Sequence, residues 1–501
     1  MKKIFYTLLL CTALLSSCKK FLEEYSQDEM RPGSTDDLTA LMYSDAYPYI
    51  SKIENFEALT DDLQNNPLVS VNGVVNADYL NAVEAATLMF TFSPNMFDGI
   101  NSTTGIGNLY SAMYLKIKGC NVVIDQLDKV PGTERDKNAI MGQCLFLRGY
   151  YYLKLVTAYA QMYSAPGVDP STALGVPLIL SSQVKDGGVP RSTLKEVYDQ
   201  IEKDLMKAEE LLRNNYVPPN AFRIGSDLAN GILSRYYLYK GGDGDWDKVI
   251  QSAGRALQNR STLTSLTSFL GSSGNITPNG IYNSSSPEVL WVYGGVYPDL
   301  LTANFDSRSL PPFTVSASLI SQYDKGTGTA NYGDLRYQYY FQFNTLSGSK
   351  FPYRTAKNTV NAPYGIRGFR VAELYLNRAE AYIRNFIKNG NAADRLAALN
   401  DLNTLRSSRY DTRNTPYTPV NITDGQALFK FCQEERRREL ALEDGHRFID
   451  LKRWGLGVTH TFTSADNSTG TYSLFPNSPL FALPIPLIAT VNNPSLVQNP
   501  R

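Results

Sequence analysis

Two separated parts of this 501-residue chain share one design: a helical segment, a short turn rich in Gly or Asn, and a second helical segment. In the first, DLANGILSRYYLYK is joined through GGDGD to WDKVIQSAGRAL. In the second, AELYLNRAEAYIRN passes through a Gly/Asn turn into AADRLAALNDLNTLRSSR. Small residues (Ala229, Gly231, Ala253, Ala256) stand where helices must approach closely, and Tyr375, Arg378, Ala379 and Tyr382 keep a related spacing in the second pair. No single helix pair of this kind can bury its apolar stripe. It must stack on neighbours, which then share one continuous seam. That requirement constrains the fold more than any other feature, and it predicts a mostly α protein.

The segments before these pairs agree. Leu109, Met113, Ile117, Cys120 and Ile124 recur at three and four until Pro131-Gly132 stops the helix, and LFLRGYYYLKLVTAYA lies in a second helix over about 135–162. Thr193 and Glu196 form a capping box ahead of Leu194, Val197, Ile201, Leu205, Ala208 and Leu212 on one face. The pairs resemble degenerate tetratricopeptide units. The scaffold is expected mainly at 108–258 and 369–455. Between them the chain is rich in Ser, Gly, Asn, Pro and Tyr, with one strand-like stretch, EVLWVYGG. This is too long for a bare linker, so a packed, loop-rich ligand-binding subdomain is expected mainly over 259–368, with further loops in 40–107.

The N-terminus, MKKIFYTLLLCTALLSSCKK, has a basic start at Lys2 and Lys3 and an apolar run over 4–15. Small residues then precede Cys18. The run is too short for a permanent span, and Leu15-Ser16-Ser17-Cys18 resembles a bacterial lipobox. The expected organisation is a signal peptide at 1–17, a tether at 18–33 lipid-anchored through Cys18, and a folded part at 34–501. Cys120, Cys144 and Cys432 lie in apolar helical contexts and read as buried small hydrophobes.

Lys and Arg together number 48, as do Asp and Glu, and that balance disfavours nucleic acid as a partner. No nucleophile elbow, phosphate-binding loop, dinucleotide fingerprint or zinc-helix motif is present, and His446 and His460 are the only histidines. Neither a metal nor a cofactor is expected. A hydrolase using two carboxylates stays open, since it needs only two acids close in space.

The densest charge lies at 434–455, EERRRELALEDGHRFIDLKRWG. Glu435, Glu439 and Glu443 fall at i, i+4 and i+8, so one helical face carries three carboxylates that repel unless a cation lies against them. Arg447, Lys452 and Arg453 follow the Asp444-Gly445 break and are expected to supply it. With Asp450 they make a partly buried network that fixes this helix against the next segment.

Ligand contacts are expected from aromatic rings in polar loops, with neighbouring Asn and Asp for hydroxyl groups. The candidates are Asp61, Asp62, Asn65, Phe97, Asn101, Tyr282, Trp291 and Tyr297, with Tyr43, Tyr47, Tyr49 and the YQYYFQF cluster as further platforms. Trp291 sits in a strand with apolar residues on both faces, where core packing is the first expectation.

In order along the chain stand CKKFLEEYSQDE, LYSAMYLKIKGCNVVID, FLRGYYYLKLVTAYA with LGVPLIL behind it, and YGDLRYQYYF. RVAELYLNRAEAYIRN with LNDLNTLRSSR, ERRRELALEDGHRFIDLKRWG and FALPIPLIATVNNPSLVQNP follow. This series resembles the SusD/RagB family of surface lipoproteins from Bacteroidetes. The resemblance implies tetratricopeptide-like helix pairs in an α/α superhelix, with an irregular ligand-binding subdomain containing a few short strands. It also implies a non-enzymatic protein, anchored in the outer membrane and facing the cell exterior. Such a protein binds oligosaccharides or polysaccharides and delivers them to a TonB-dependent, SusC-like transporter. The family's binding residues vary with the ligand, so none is transferred to this chain. The alternatives are an oligopeptide binder of the same family, a carboxylate-dependent glycoside hydrolase, and a helical-repeat adaptor.

Overall fold

The computed structural model describes residues 32–48, 56–69, 74–97, 106–183, 187–271, 280–294, 309–357 and 367–501. The signal peptide, Cys18 and the tether as far as residue 31, Tyr49, Asn101 and Tyr297 lie outside them.

Helices α1 (Thr35–Leu41) and α2 (Ala77–Phe90) precede a run of long helices: α3 (Ile106–Gln126), α4 (Glu134–Tyr159), α5 (Leu194–Asn215), α6 (Ser226–Lys240) and α7 (Trp246–Asn259). After the loop-rich middle come α8 (Val371–Asn389), α9 (Ala392–Ser407), α10 (Gly425–Glu439) and α11 (His446–Arg453). Each helix from α3 to α9 packs against the next, and α8 bridges the break by packing on α7. This is the stacking that the paired pattern demands.

Local chemistry sets the helix ends. Thr193 and Glu196 make the reciprocal capping box of α5, while Gly241 and Gly390 close α6 and α8 in the left-handed conformation. Helix α4 is buried on nearly every side. Its glycines admit the neighbouring helix: a Cβ at Gly142 would lie 2.9 Å from Leu212 Cγ, and one at Gly149 3.0 Å from Leu205 Cγ, both on α5. Gly231 of α6 makes room for something else, the Phe369 ring.

The structure contains several short strands, as the resemblance implies, although only EVLWVYGG stands out in the sequence. They are β1 (Leu63–Asn65), β2 (Val289–Tyr293), β3 (Phe313–Val315), β4 (Phe341–Leu346), β5 (Ser349–Thr355), β6 (Arg367–Arg370), β7 (Val458–Thr463) and β8 (Thr469–Leu474). All pair antiparallel in two-stranded sheets, β1 with β3, β2 with β6, β4 with β5 and β7 with β8. Most are too short for a clear two-residue alternation, so their pattern does not stand out in the sequence. One large apolar core runs from α1 to the C-terminal segment, and a smaller one joins α8, α9 and α10. Cys120, Cys144 and Cys432 are free and buried in these cores.

Helix α10 ends at Glu439, and the chain turns through Leu442, Asp444 and Gly445, all at positive φ. Glycine is needed at 445, because a Cβ there would lie 2.6 Å from the Phe56 ring as well as meeting the left-handed backbone. At the start of α11, His446 is buried with Nδ1 3.2 Å from the Tyr239 hydroxyl. Burial, reinforced by Arg235 and Arg436, keeps it well below an ordinary histidine pKa. Burial alone would raise the Glu380 carboxyl, but Arg453, 2.6 Å away, prevails and holds it at about 2.

Both groups bind fewer protons folded than unfolded, so acid favours the unfolded chain. Stability is therefore expected to fall as the pH drops below 6.5, the unperturbed histidine value, and again from 4.5 towards 2. Urea midpoints measured between pH 8 and pH 3 check this. His460, also buried and with its pKa lowered by that burial, adds to the upper limb of the decline. His446→Asn should therefore shrink that limb without abolishing it, and a level midpoint between pH 6.5 and 5 in the native sequence would contradict the account.

Candidate functional site

The acidic face of α10 does not meet the cations that follow it in sequence. Glu439 accepts from Arg370 Nη1 at 2.7 Å, Arg409 Nε at 3.0 Å, Arg336 Nη1 at 3.1 Å and the Tyr340 hydroxyl at 2.8 Å. Glu435 pairs with Arg336, Arg406 and Arg438. Glu443, beyond the helix end, pairs with Arg370 and Lys357. Glu288 closes the set by pairing with Arg370 and Arg409. Every one of these side chains is buried.

The expected partners go elsewhere. Arg447 binds Asp61, and Arg453 binds Glu380 and Asp450. Lys452 donates to the Thr157 and Ala160 carbonyls at the end of α4. The left-handed turn at Gly445 redirects the chain, so α11 faces other elements. Only the Arg436–Asp450 pair, at 2.8 Å, ties the two helices directly among the described residues. Burial would raise the Glu439 carboxyl, but Arg409 and Arg370 outweigh it and hold it well below the usual range. Glu435, Glu439 and Glu443 are all held ionised by these cations and have no proton to give, which removes them as general acids.

The proposed ligand residues divide. Asp61 is partly exposed, with both oxygens held by Arg447 at 2.7 and 2.8 Å. Asp62 is buried against Arg437 Nε at 2.8 Å. Asn65 is a cross-strand tie, accepting from Thr463 N at 2.7 Å and donating to the Pro312 carbonyl at 3.2 Å. Phe97 packs half-buried at the core edge.

Tyr282 is withdrawn from solvent and donates to Glu443 at 2.8 Å. Trp291 is wholly buried among Phe146, Tyr150 and Tyr293. As ligand platforms these two, and Tyr47, are corrected: each ring already spends its faces on the core. Asp62 is likewise structural. In a strand buried on both sides, an apolar neighbour signals core on either face, and Trp291 follows that rule.

A different surface has the chemistry sought. Strands β4 and β5 form a hairpin around Ser347 and Gly348, both at positive φ, as a tight two-residue turn requires. The pairing sets Phe341 against Thr355 and Gln342 against Arg354. After a one-residue shift it sets Phe343 against Pro352 and Asn344 against Phe351. Residues directly opposite share a face. Phe341 and Thr355 are buried, and Phe343 packs edge-on to Tyr337 with ring centroids 5.1 Å apart.

The other face carries Gln342, Asn344, Phe351 and Arg354, exposed or half-buried, with Arg354 Nε donating to Gln342 Oε1. An aromatic ring flanked by amides and a guanidinium suits a ligand with apolar C–H faces and hydroxyl edges. The YQYYFQF cluster chosen from sequence reaches this face only at Gln342 and stops short of Asn344, Phe351 and Arg354. The signal that marks it is the polar–aromatic alternation of FQFNTLSGSKFPYRT around Ser-Gly. Among the described residues no group of His, Cys, Asp and Glu is arranged to hold a metal ion.

Two family models match the chain. Residues 20–238 fit one described as "Starch-binding associating with outer membrane", and residues 314–501 fit one described as "SusD family". The chain belongs to the SusD/RagB family. Proteins of this family bind and do not catalyse. The fold is also that of solved SusD structures. A SusD-like carbohydrate binding protein from Bacteroides vulgatus ATCC 8482 is 23% identical, with TM-score 0.66 over 93% of this chain and 98% of that one. A SusD superfamily protein from Bacteroides fragilis is 18% identical, with TM-score 0.67 over 92% and 99%. One from Bacteroides thetaiotaomicron VPI-5482 is 20% identical, with TM-score 0.64 over 93% and 100%. No curated protein matches the sequence.

Proposed function

We propose that this protein is a lipid-anchored outer-membrane protein, facing the cell exterior, that binds oligosaccharides or polysaccharides and passes them to a TonB-dependent, SusC-like transporter. The reading is carried by the family match at both ends of the chain, one model being described as starch-binding and associating with the outer membrane. Supporting it, the β4–β5 hairpin offers Phe351 for stacking and Gln342, Asn344 and Arg354 for hydroxyl groups. Of the residues selected from sequence, Asp61, Asn65 and Phe97 keep some exposure and remain candidate contacts, with Asn101 and Tyr297 beside them as proposals from sequence.

Calorimetric titration with malto-oligosaccharides and a panel of other glycans tests this. Phe351→Ala is expected to weaken binding about tenfold, ~1.4 kcal/mol, without moving the unfolding midpoint by more than a small amount. A protein that binds none of these glycans but binds oligopeptides would overturn the carbohydrate assignment. Binding that is insensitive to Phe351→Ala would remove the hairpin from the site.

A further inference from the structure

A groove of about 590 Å³ opens on the helical scaffold between α7 and α8, within the usual ~300–1,000 Å³ of ligand sites. The two helices run antiparallel. Tyr375 donates to the Ser261 carbonyl at one end, and Asn385 donates to Asp247 at the other. Between these ties, Gly254 leaves out the side chain that would fill the gap. A Cβ there would meet only Arg378 Nη1, at 4.0 Å.

The walls are two parallel rows. Gln251, Arg255 and Gln258 stand at i, i+4 and i+7 on the exposed face of α7, and Tyr375, Arg378 and Tyr382 at i, i+3 and i+7 on α8. Each row is ~10 Å long at ~1.5 Å per residue, the span of about three residues of extended chain at ~3.3 Å each.

The charge of the groove is one-sided. Among the described residues no acidic side chain lines it. Arg378 is clamped through Nε and Nη2 by Asp401, at 2.8 and 2.7 Å, which leaves Nη1 directed at the gap over Gly254. Asp401 is itself buried behind that clamp. Arg255 is exposed and makes no ion pair among the described residues. A carboxylate placed over Gly254 therefore meets one pre-oriented guanidinium and one unpaired one. Gln251 and Gln258 each offer a donor and an acceptor, which matches the alternating groups of a peptide backbone. Tyr375 is only 8% exposed, so of the two rings lining the groove only the half-buried Tyr382 keeps surface, and no pair of ring faces is left to hold a sugar.

We infer that this groove binds an extended acidic peptide segment of a partner protein, one carboxylate held between Arg255 and Arg378 and the backbone between Gln251 and Gln258. The site is independent of the glycan surface and stands or falls separately from it.

The probe is a fluorescein-labelled pentapeptide of glycine, glutamate, serine, glutamate and glycine, blocked at its C-terminus and titrated with the full soluble chain by fluorescence anisotropy. Saturable binding is expected. It should weaken at least about tenfold when glutamine replaces glutamate in the peptide, and comparably with Arg255→Ala. Gly254→Leu should plug the groove and abolish binding. That position is an ordinary helical one with free space, and leucine favours helix over glycine, so the thermal midpoint should hold or rise. No saturable binding up to millimolar peptide would overturn the inference, as would binding unchanged by Gly254→Leu. Binding of trigalacturonate in place of the peptide, lost on Gly254→Leu, would overturn the peptide assignment in favour of an acidic sugar.

Discussion

Replacing Glu439 with Gln is expected to leave little or no stable protein. The carboxylate faces Arg336, Arg370 and Arg409 at once, and all four side chains are wholly buried. Removing one member of a buried pair costs about 3–5 kcal/mol, because the partner remains charged and out of water. Here three guanidinium groups lose a shared counter-charge, though each keeps another, Glu435 for Arg336 and Glu288 for Arg370 and Arg409, so the loss belongs within that range. Total stabilities of about 5–15 kcal/mol leave little margin. Urea unfolding followed by tryptophan fluorescence measures it, since Trp291 sits in the core.

Two comparisons separate this from a general sensitivity to charge. Lys195→Ala, which breaks the exposed Lys195–Asp199 pair, should leave the midpoint where it is. Adding Arg409→Gln to Glu439→Gln should recover part of the loss, because it removes one of the three cations that Glu439 neutralised and restores the charge balance of the cluster. A Glu439→Gln protein with the native midpoint would refute the account of the network.

Cys18→Ala should shift the protein almost completely from the membrane fraction to the soluble one. Each buried methylene of an acyl chain contributes ~0.8 kcal/mol, and stable anchoring takes more than one chain or signal. Among the described residues no helix is long and apolar enough to cross a membrane. The lipid on Cys18 is thus the anchor that the proposal relies on. Fractionation of cells labelled with radioactive palmitate checks both parts: label should be present in the native protein and absent from the variant. Persistent membrane association of the unlabelled variant would sink the anchor.

Much of the scaffold is legible in the sequence because helix signals are local. The Thr193–Glu196 capping box needs only residues three apart, and the three- and four-residue recurrence from Leu109 to Ile124 lies within one helix, α3. Helix pairs with small residues at their crossings imply a stack by their own chemistry, since each leaves an apolar stripe to cover. The strands are less legible. β1 and β3 are three residues each and find one another across more than two hundred residues, so neither carries a pattern that announces the pairing. The ligand surface is hardest. Tyr282 and Asp62 have the residue types of a binding site, yet each points inward to a charged partner. Composition says nothing of which way a loop residue faces.

The stretch at 434–455 divides the two kinds of information. Three carboxylates spaced on one side of the chain demand cations, and this follows from sequence alone, since like charges so close repel. Which cations answer was decided by the tertiary structure. Arg370 and Arg336, 69 and 103 residues away, reach Glu439, while the nearby Arg447 turns to Asp61. The reason is physical. Helical spacing and capping act through bonds a few residues long, but a buried charge takes whichever partner the packed elements bring within about 3 Å. That choice exists only once α9, α10, β6 and the single helical turn before β4 have come together.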